Sequence, residues 1–257
     1  TAVTVLSSED PVRVFQQFAT IDLISHGRAE IMAGRGSFIE SFPLFGYDLN
    51  DYDSLFKEKL ELLIKLNKEE RVKWQGVHRP AIHNSAIYPR PYQKEMPIWI
   101  AAGGTPASAV RAATLGLPLA LAIVPFIDLY KNTWAKMNHT HAMQIGINVH
   151  GFLSVSSQKA ADDFYIPHEE VMNRIGRERG WGPSTRGQYE GIRSRHGALF
   201  VGSPQEIIDK IMYVHQIFGN TRLLMQMTVG PTPHQLVMNS IELFATKVAP
   251  VVKSSIL

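Results

Sequence analysis

PIWIAAGGTPASAVRAA, residues 97–113, passes from a continuous apolar stretch through two glycines into Thr-Pro and then a run of small residues. An apolar run without alternation is the pattern of a strand covered on both faces, as in a parallel sheet. Thr105 supplies a capping oxygen, and Pro106 presets the backbone of a first helical turn, so the stretch predicts strand, short turn and helix. Asp10-Pro11 and Ser203-Pro204 repeat the device, and Glu206 completes a capping box with Ser203.

Further apolar runs of strand length lie at 1–7, 29–34, 117–123, 147–155 and 222–229. Helical patterns fall between them: Phe15, Phe18, Ala19 and Leu23 share one face, as do Leu55, Phe56, Leu60, Leu63 and Ile64. Such an alternation is a β/α series and sets the fold class as α/β. Six strands do not close an eight-stranded barrel. The chain therefore reads as an open sheet or as a (β/α)8 TIM-type barrel whose first two strands precede Thr1. Residues 67–97 read as a short hairpin followed by a proline-rich surface loop, and residues 180–197 as a second irregular stretch. No internal repeat or interdomain linker is visible, which makes residues 1–257 a single domain.

The 257 residues are 45% hydrophobic and 19% charged, the profile of a globular domain with a sizeable core. A net charge of +3 without a long basic run gives little support to a nucleic-acid partner. With no cysteine there is no disulfide, thiol chemistry or thiolate metal site, so redox chemistry would belong to a bound cofactor. The longest apolar run, 115–127, is too short and too broken by proline to span a bilayer, and a soluble, cytoplasmic protein is expected.

AEIMAGRGSF, residues 29–38, ends a buried strand on Gly34-Arg35-Gly36. Glycines let the chain turn sharply, and the arginine is presented at the C-terminal edge of the sheet, where α/β proteins bind ligands. Two readings are open: a bidentate grip on a phosphate, or a strand end closed by a local ion pair. Gly103 and Gly104, followed by the N-terminus of a helix, would admit an anion close to the backbone, or would only relieve strain in a turn. Arg186, Arg193 and Arg195 form either a lid for an anionic ligand or a solvated loop. His150 faces a pocket or is a core histidine, His139 and His141 do not share a helix face, and no metal site is expected. Trp74 and Trp99 read as packing aromatics.

Taken in order, residues 10–36, 42–63, 88–119, 202–211 and 227–252 resemble the bacterial luciferase-like flavin-dependent monooxygenase family over essentially the whole chain. The resemblance implies a (β/α)8 barrel holding reduced FMN, or in some branches the deazaflavin F420, at the C-terminal ends of the strands. The family's phosphate-binding arginine falls on Arg35. Its phosphate and flavin-edge turn falls on Ala102, Gly104 and Thr105, with Ser108 beside them and Gly103 within the same turn. The strand at Ala2 corresponds to the one that runs beside the isoalloxazine.

Three departures stand out. The family's first two strands, which usually bring substrate-pocket residues and often a catalytic histidine, are missing. A glycine-rich loop is absent between Ile123 and Val124. A second phosphate-binding arginine of some members aligns with Asp53.

The expectation is a homodimeric monooxygenase using reduced FMN and O2 on a small organic substrate, supplied by a separate flavin reductase, with no catalytic residue assigned. The alternatives are an F420-dependent reductase or dehydrogenase, a flavin-binding protein without turnover, or a barrel binding another phosphorylated ligand.

Overall fold

The computed structural model describes residues 2–36, 40–103, 105–121 and 126–256. Gly104 and the junction of Ile123 with Val124 lie outside them, and of Ala2 only the backbone is described. The chain forms two compact units, residues 1–145 and 146–257.

In the first unit, β1 (Ala2–Val5) pairs with β2 (Ile31–Gly34) across helix α1 (Pro11–Ser25). After β2 come the short α2 (Ser41–Leu44), the long α3 (Tyr52–Lys68) and the antiparallel hairpin of β3 (Arg71–Trp74) and β4 (Ile82–Ala86). The chain then returns as β5 (Ile98–Ala102), α4 (Pro106–Thr114), β6 (Leu119–Leu121) and α5 (Ile127–Lys136). Strands β1, β2, β5 and β6 lie side by side in that order, all parallel. All four residues of β2 are buried, as are Ile98, Trp99 and Ile100 of β5, which explains the uninterrupted apolar runs. The hairpin and the surface loop expected over 67–97 are present.

Buried polar groups tie the long return from α3 to β5 into the unit. Asn67 donates to the Met96 carbonyl and accepts from its N–H, at 2.8 and 3.0 Å. Burial would raise the Asp22 carboxyl, but bonds from Gln93 and the Ala29 N–H outweigh it and hold the group below the usual range. At the end of α4, His139 and His141 donate through Nε2 to the Ala113 and Gly116 carbonyls at 2.6 and 2.8 Å. These rings close a helix C-terminus whose carbonyls have no partner within the helix.

The second unit is built on β7 (Ile145–Leu153), α6 (Ser157–Arg179), α7 (Arg186–Arg193), β8 (Phe200–Gly202), α8 (Pro204–Phe218), β9 (Arg222–Gln226), α9 (His234–Leu243) and α10 (Ala249–Ile256). Strand β7 pairs in parallel with β9 through residues 146–150 and with β8 through 151–153. Its alternate side chains feed two cores: Ile147, Val149 and Leu153 pack with Phe200 and Ile211, while Phe152 packs with Phe164 and Tyr189. The second core stacks the Phe152 and Phe164 rings 5.2 Å apart.

One element departs from the expectations, and another holds a residue unusual for its place. Residues 186–193 form a helix inside the stretch read as irregular, opened by a full capping box of Thr185 and Gln188. Helix α6 carries Pro167 in its interior, a residue that ordinarily ends a helix. The capped starts at Asp10 and Ser203 are as expected, with Asp10 accepting from the Val12 and Arg13 N–H groups and Ser203 sharing a reciprocal box with Glu206. Thr105 stands at the N-cap of α4 but makes no capping bond.

Candidate functional site

The Thr105 hydroxyl is turned toward Arg35. At the C-terminal edge of β2 and β5, Arg35 donates through Nη2 to Thr105 Oγ1 and through Nη1 to Asp53 Oδ1, the latter at 2.6 Å. Its guanidinium lies 5.0 Å from the centre of the Tyr52 ring. Tyr52 is itself fixed by donating to the Gly36 carbonyl at 2.8 Å. Thus the two residues that sequence reasoning put on a phosphate, 70 positions apart, meet through their side chains.

Local chemistry explains the Gly-Arg-Gly frame. A Cβ on Gly34 would stand 2.9 Å from the Val3 side chain of β1, so the close approach of the two strands requires glycine there. Gly36 adopts φ of +84°, a left-handed conformation that glycine takes without steric cost. Between them Arg35 is held, with only 16% of its side chain exposed. The ion pair that was one of the two open readings is therefore present, with Asp53 as its acid.

Two cations and a phenol set the electrostatics. Burial lowers the Arg111 guanidinium, and the charge of Arg35 lowers it further. Burial also pushes up the Tyr52 hydroxyl, with Arg35 opposing and Asp53 reinforcing the change. Neither Tyr52 nor Arg111 was singled out from sequence, although Arg111 is the one charged residue of 97–113. The N-terminal turns of α3 and α4, carrying Asp53 and following Thr105, both bring partial positive charge to this edge.

The other anticipated contacts divide. Gly103 is exposed, and a Cβ placed on it would meet nothing within 4 Å, so the backbone there is open to a ligand. Ala102 and Ser108 are buried, the latter on the inner face of α4. Nearby, Lys59 of α3 donates to the Ser7 carbonyl at 2.6 Å and lies 3.9 Å from the centre of the Tyr47 ring. Burial pulls this ammonium down to about 8, against the charges of Asp10 and Glu9.

The arginine-rich stretch of the second unit is occupied locally. Arg186 pairs with Asp162 and Glu190 at 2.8 and 2.9 Å, and Arg193 pairs with Glu190 at 2.8 Å. Arg195 lies over the Tyr213 ring. His150 on β7 stands against His168 of α6, with ring centres 6.3 Å apart, and Phe164 and Tyr189 enclose the latter ring. Burial lowers His150, and burial with the neighbouring His150 takes His168 down to about 4. Among the described residues no three His, Asp or Glu side chains group as metal ligands, and no helix is long and apolar enough to cross a membrane.

Fold and site together define an α/β protein with a largely buried arginine, bonded to a threonine and an aspartate, at the C-terminal edge of a parallel sheet. The sequence profile of the luciferase-like monooxygenases matches residues 1–221, and the chain belongs to that family.

Among curated relatives, an uncharacterised protein y4wF of Sinorhizobium fredii is 34% identical over 119 residues, covering 46% of this chain and 34% of that protein. The chain thus spans about a third of that relative's length. The alkanal monooxygenase alpha chain of Photorhabdus laumondii subsp. laumondii is 24% identical, covering 98% of this chain and 78% of its own.

Three solved structures share the fold. Monooxygenase RslO1 from Streptomyces bottropensis has a TM-score of 0.81 at 23% identity, covering 98% of this chain and 77% of its own. The oxygenating constituent of 3,6-diketocamphane monooxygenase from Pseudomonas putida, in complex with FMN, has a TM-score of 0.73 at 14% identity, covering 97% and 78%. An F420-dependent secondary alcohol dehydrogenase in complex with an F420-acetone adduct has a TM-score of 0.74 at 16% identity, covering 98% and 78%. Relatives of this fold thus include both an FMN-bound and an F420-bound enzyme.

Proposed function

We propose that this protein is a flavin-dependent oxidoreductase that takes reduced FMN and dioxygen and oxidises a small organic substrate. The observation that carries the reading is the convergence of Arg35 and Thr105 at the strand ends, beside the open backbone at Gly103. The arrangement suits a phosphate: a guanidinium of fixed orientation, a hydroxyl and two helix N-termini. A buried anchor of this kind orients whatever ring system is joined to the phosphate.

Reduced flavin, when bound, supplies the electrons with which oxygen is activated. The chain's part is to bind and orient. Arg35 holds the phosphate end, the Tyr52 ring packs against the guanidinium, Thr105 offers its hydroxyl, and Gly103 lets the cofactor approach the backbone. A separate reductase and a second copy of the chain as partner belong to the same reading.

A specific observation supports a second reading, F420 with hydride transfer in place of oxygen chemistry: the likeness to the F420-dependent alcohol dehydrogenase. One titration separates the two. Absorbance or fluorescence changes are followed as FMN and F420 are added, and the reduced complex is then exposed to air. Binding of FMN with oxygen-dependent reoxidation supports the monooxygenase, and preference for F420 without it supports the dehydrogenase. Arg35→Ala should weaken FMN binding by about 2 kcal/mol, roughly thirtyfold, the scale of a lost charge-assisted hydrogen bond. An unchanged affinity removes Arg35 from the site.

A further inference from the structure

Asp53 is the residue that a phosphate site does not call for. It occupies the position where some relatives were expected to carry a second arginine, and it spends its charge on the first one. Both terminal nitrogens of Arg35 already have acceptors, Asp53 on Nη1 and Thr105 on Nη2, and the Arg35–Asp53 pair is formally neutral. A phosphate reaching this guanidinium must displace the carboxylate or bind beside it. The work in either case grows with the charge the phosphate brings. A terminal phosphate monoester carries close to two negative charges at pH 7, because its second ionisation lies near 6. A phosphodiester carries one.

The two partners differ in freedom. Arg35 is 16% exposed and braced on Tyr52, whereas Asp53 is 73% exposed in the first turn of α3. Arg111 restores part of the positive potential, so the pair attenuates anion capture without abolishing it.

We propose that Asp53 acts as a charge filter on Arg35, weakening the capture of doubly charged phosphate monoesters relative to singly charged phosphodiesters. The inference rests on the cofactor site proposed above, and it names the residue that biases that site between a flavin ending in a monoester and a deazaflavin joined through a diester.

The test is Asp53→Asn, which keeps an oxygen able to accept from Arg35 and removes only the charge. Titrations of the whole chain with FMN, F420 and riboflavin are run at low and high salt. In the variant FMN should bind about three- to tenfold tighter at low salt, the scale of a largely exposed ion pair. F420 should gain less, riboflavin should not change, and the FMN gain should shrink at high salt. Weaker FMN binding would mean that Asp53 positions Arg35, and an equal gain for FMN and riboflavin would mean that charge is not the cause. Either result overturns the proposal, as does no change at all.

Inorganic phosphate and dimethyl phosphate read the same filter without a flavin, through thermal protection of wild type and variant. Protection by phosphate that rises in Asp53→Asn, with a smaller gain from dimethyl phosphate, supports the filter even if no flavin binds. That combination would overturn the cofactor reading alone. Loss of this pattern overturns the filter.

Discussion

Acid should destabilise the second unit through His168. The ring is 3% exposed, its Nδ1 has no hydrogen-bond partner, and Phe164, Tyr189 and His150 surround it. Charging it means placing a cation among aromatic rings beside another histidine, which takes its folded-state value down to about 4 from the ordinary 6.5. A histidine depressed in the folded state binds its proton more readily when unfolded. Its contribution to stability is therefore complete above pH 6.5 and is lost as the pH falls toward 4. Each pH unit in that window is worth about 1.4 kcal/mol, so the loss amounts to about 3 kcal/mol.

The perturbation is His168→Phe, which keeps an aromatic ring and removes the titrating group. Urea unfolding followed by circular dichroism at pH 7, 6, 5 and 4 gives the two midpoint curves. Wild type should lose stability through the window more steeply than the variant, by about 3 kcal/mol at pH 4, while the carboxylates common to both proteins cancel. Parallel curves would refute the reasoning, since some other group would then carry the acid response.

Two further outcomes follow from backbone geometry. Gly230 has φ of +70°, and a Cβ there would lie 2.0 Å from the Pro167 carbonyl oxygen, so Gly230→Ala forces α6 and the segment after β9 apart. A thermal melt should show a loss of more than about 2 kcal/mol; near-wild-type stability would mean that the contact yields freely. Ser203→Ala removes half of the box that opens α8 and should cost about 1 kcal/mol by denaturant unfolding, an effect absent if the Glu206 side chain alone caps the helix.

Much of the β/α order was legible because β2, β5, β6 and most of β7 are buried on both faces and so are written as continuous apolar runs. Strand β8, three residues long, carries too little pattern to be seen, and its place comes from pairing with β7. Helix α7 was hidden for the opposite reason. Its Gly-rich, Arg-rich segment has weak helical preference by itself, and it is held by Tyr189 in the core and by ion pairs to Asp162 and within the helix. At the site, Arg35 could be named from its glycine frame, because a chain that must turn sharply beside a ligand is restricted to few residue types, whereas Thr105 by itself read as a helix cap and came to the site through the family resemblance. Tyr52 and Arg111 carry no such mark.

The sequence alone determined the α/β class, the hairpin after α3, the capped starts of α1 and α8 and the placing of Arg35 at a strand end, all of which depend on neighbours along the chain. Tertiary structure alone decided that Thr105 leaves its helix to meet Arg35, that Asp53 neutralises the same guanidinium, and that His150 and His168 share one apolar enclosure. The reason is distance in sequence: these partners are separated by 18 to 70 residues, and a charge or a hydroxyl takes its chemistry from whichever group the fold brings within about 3 Å.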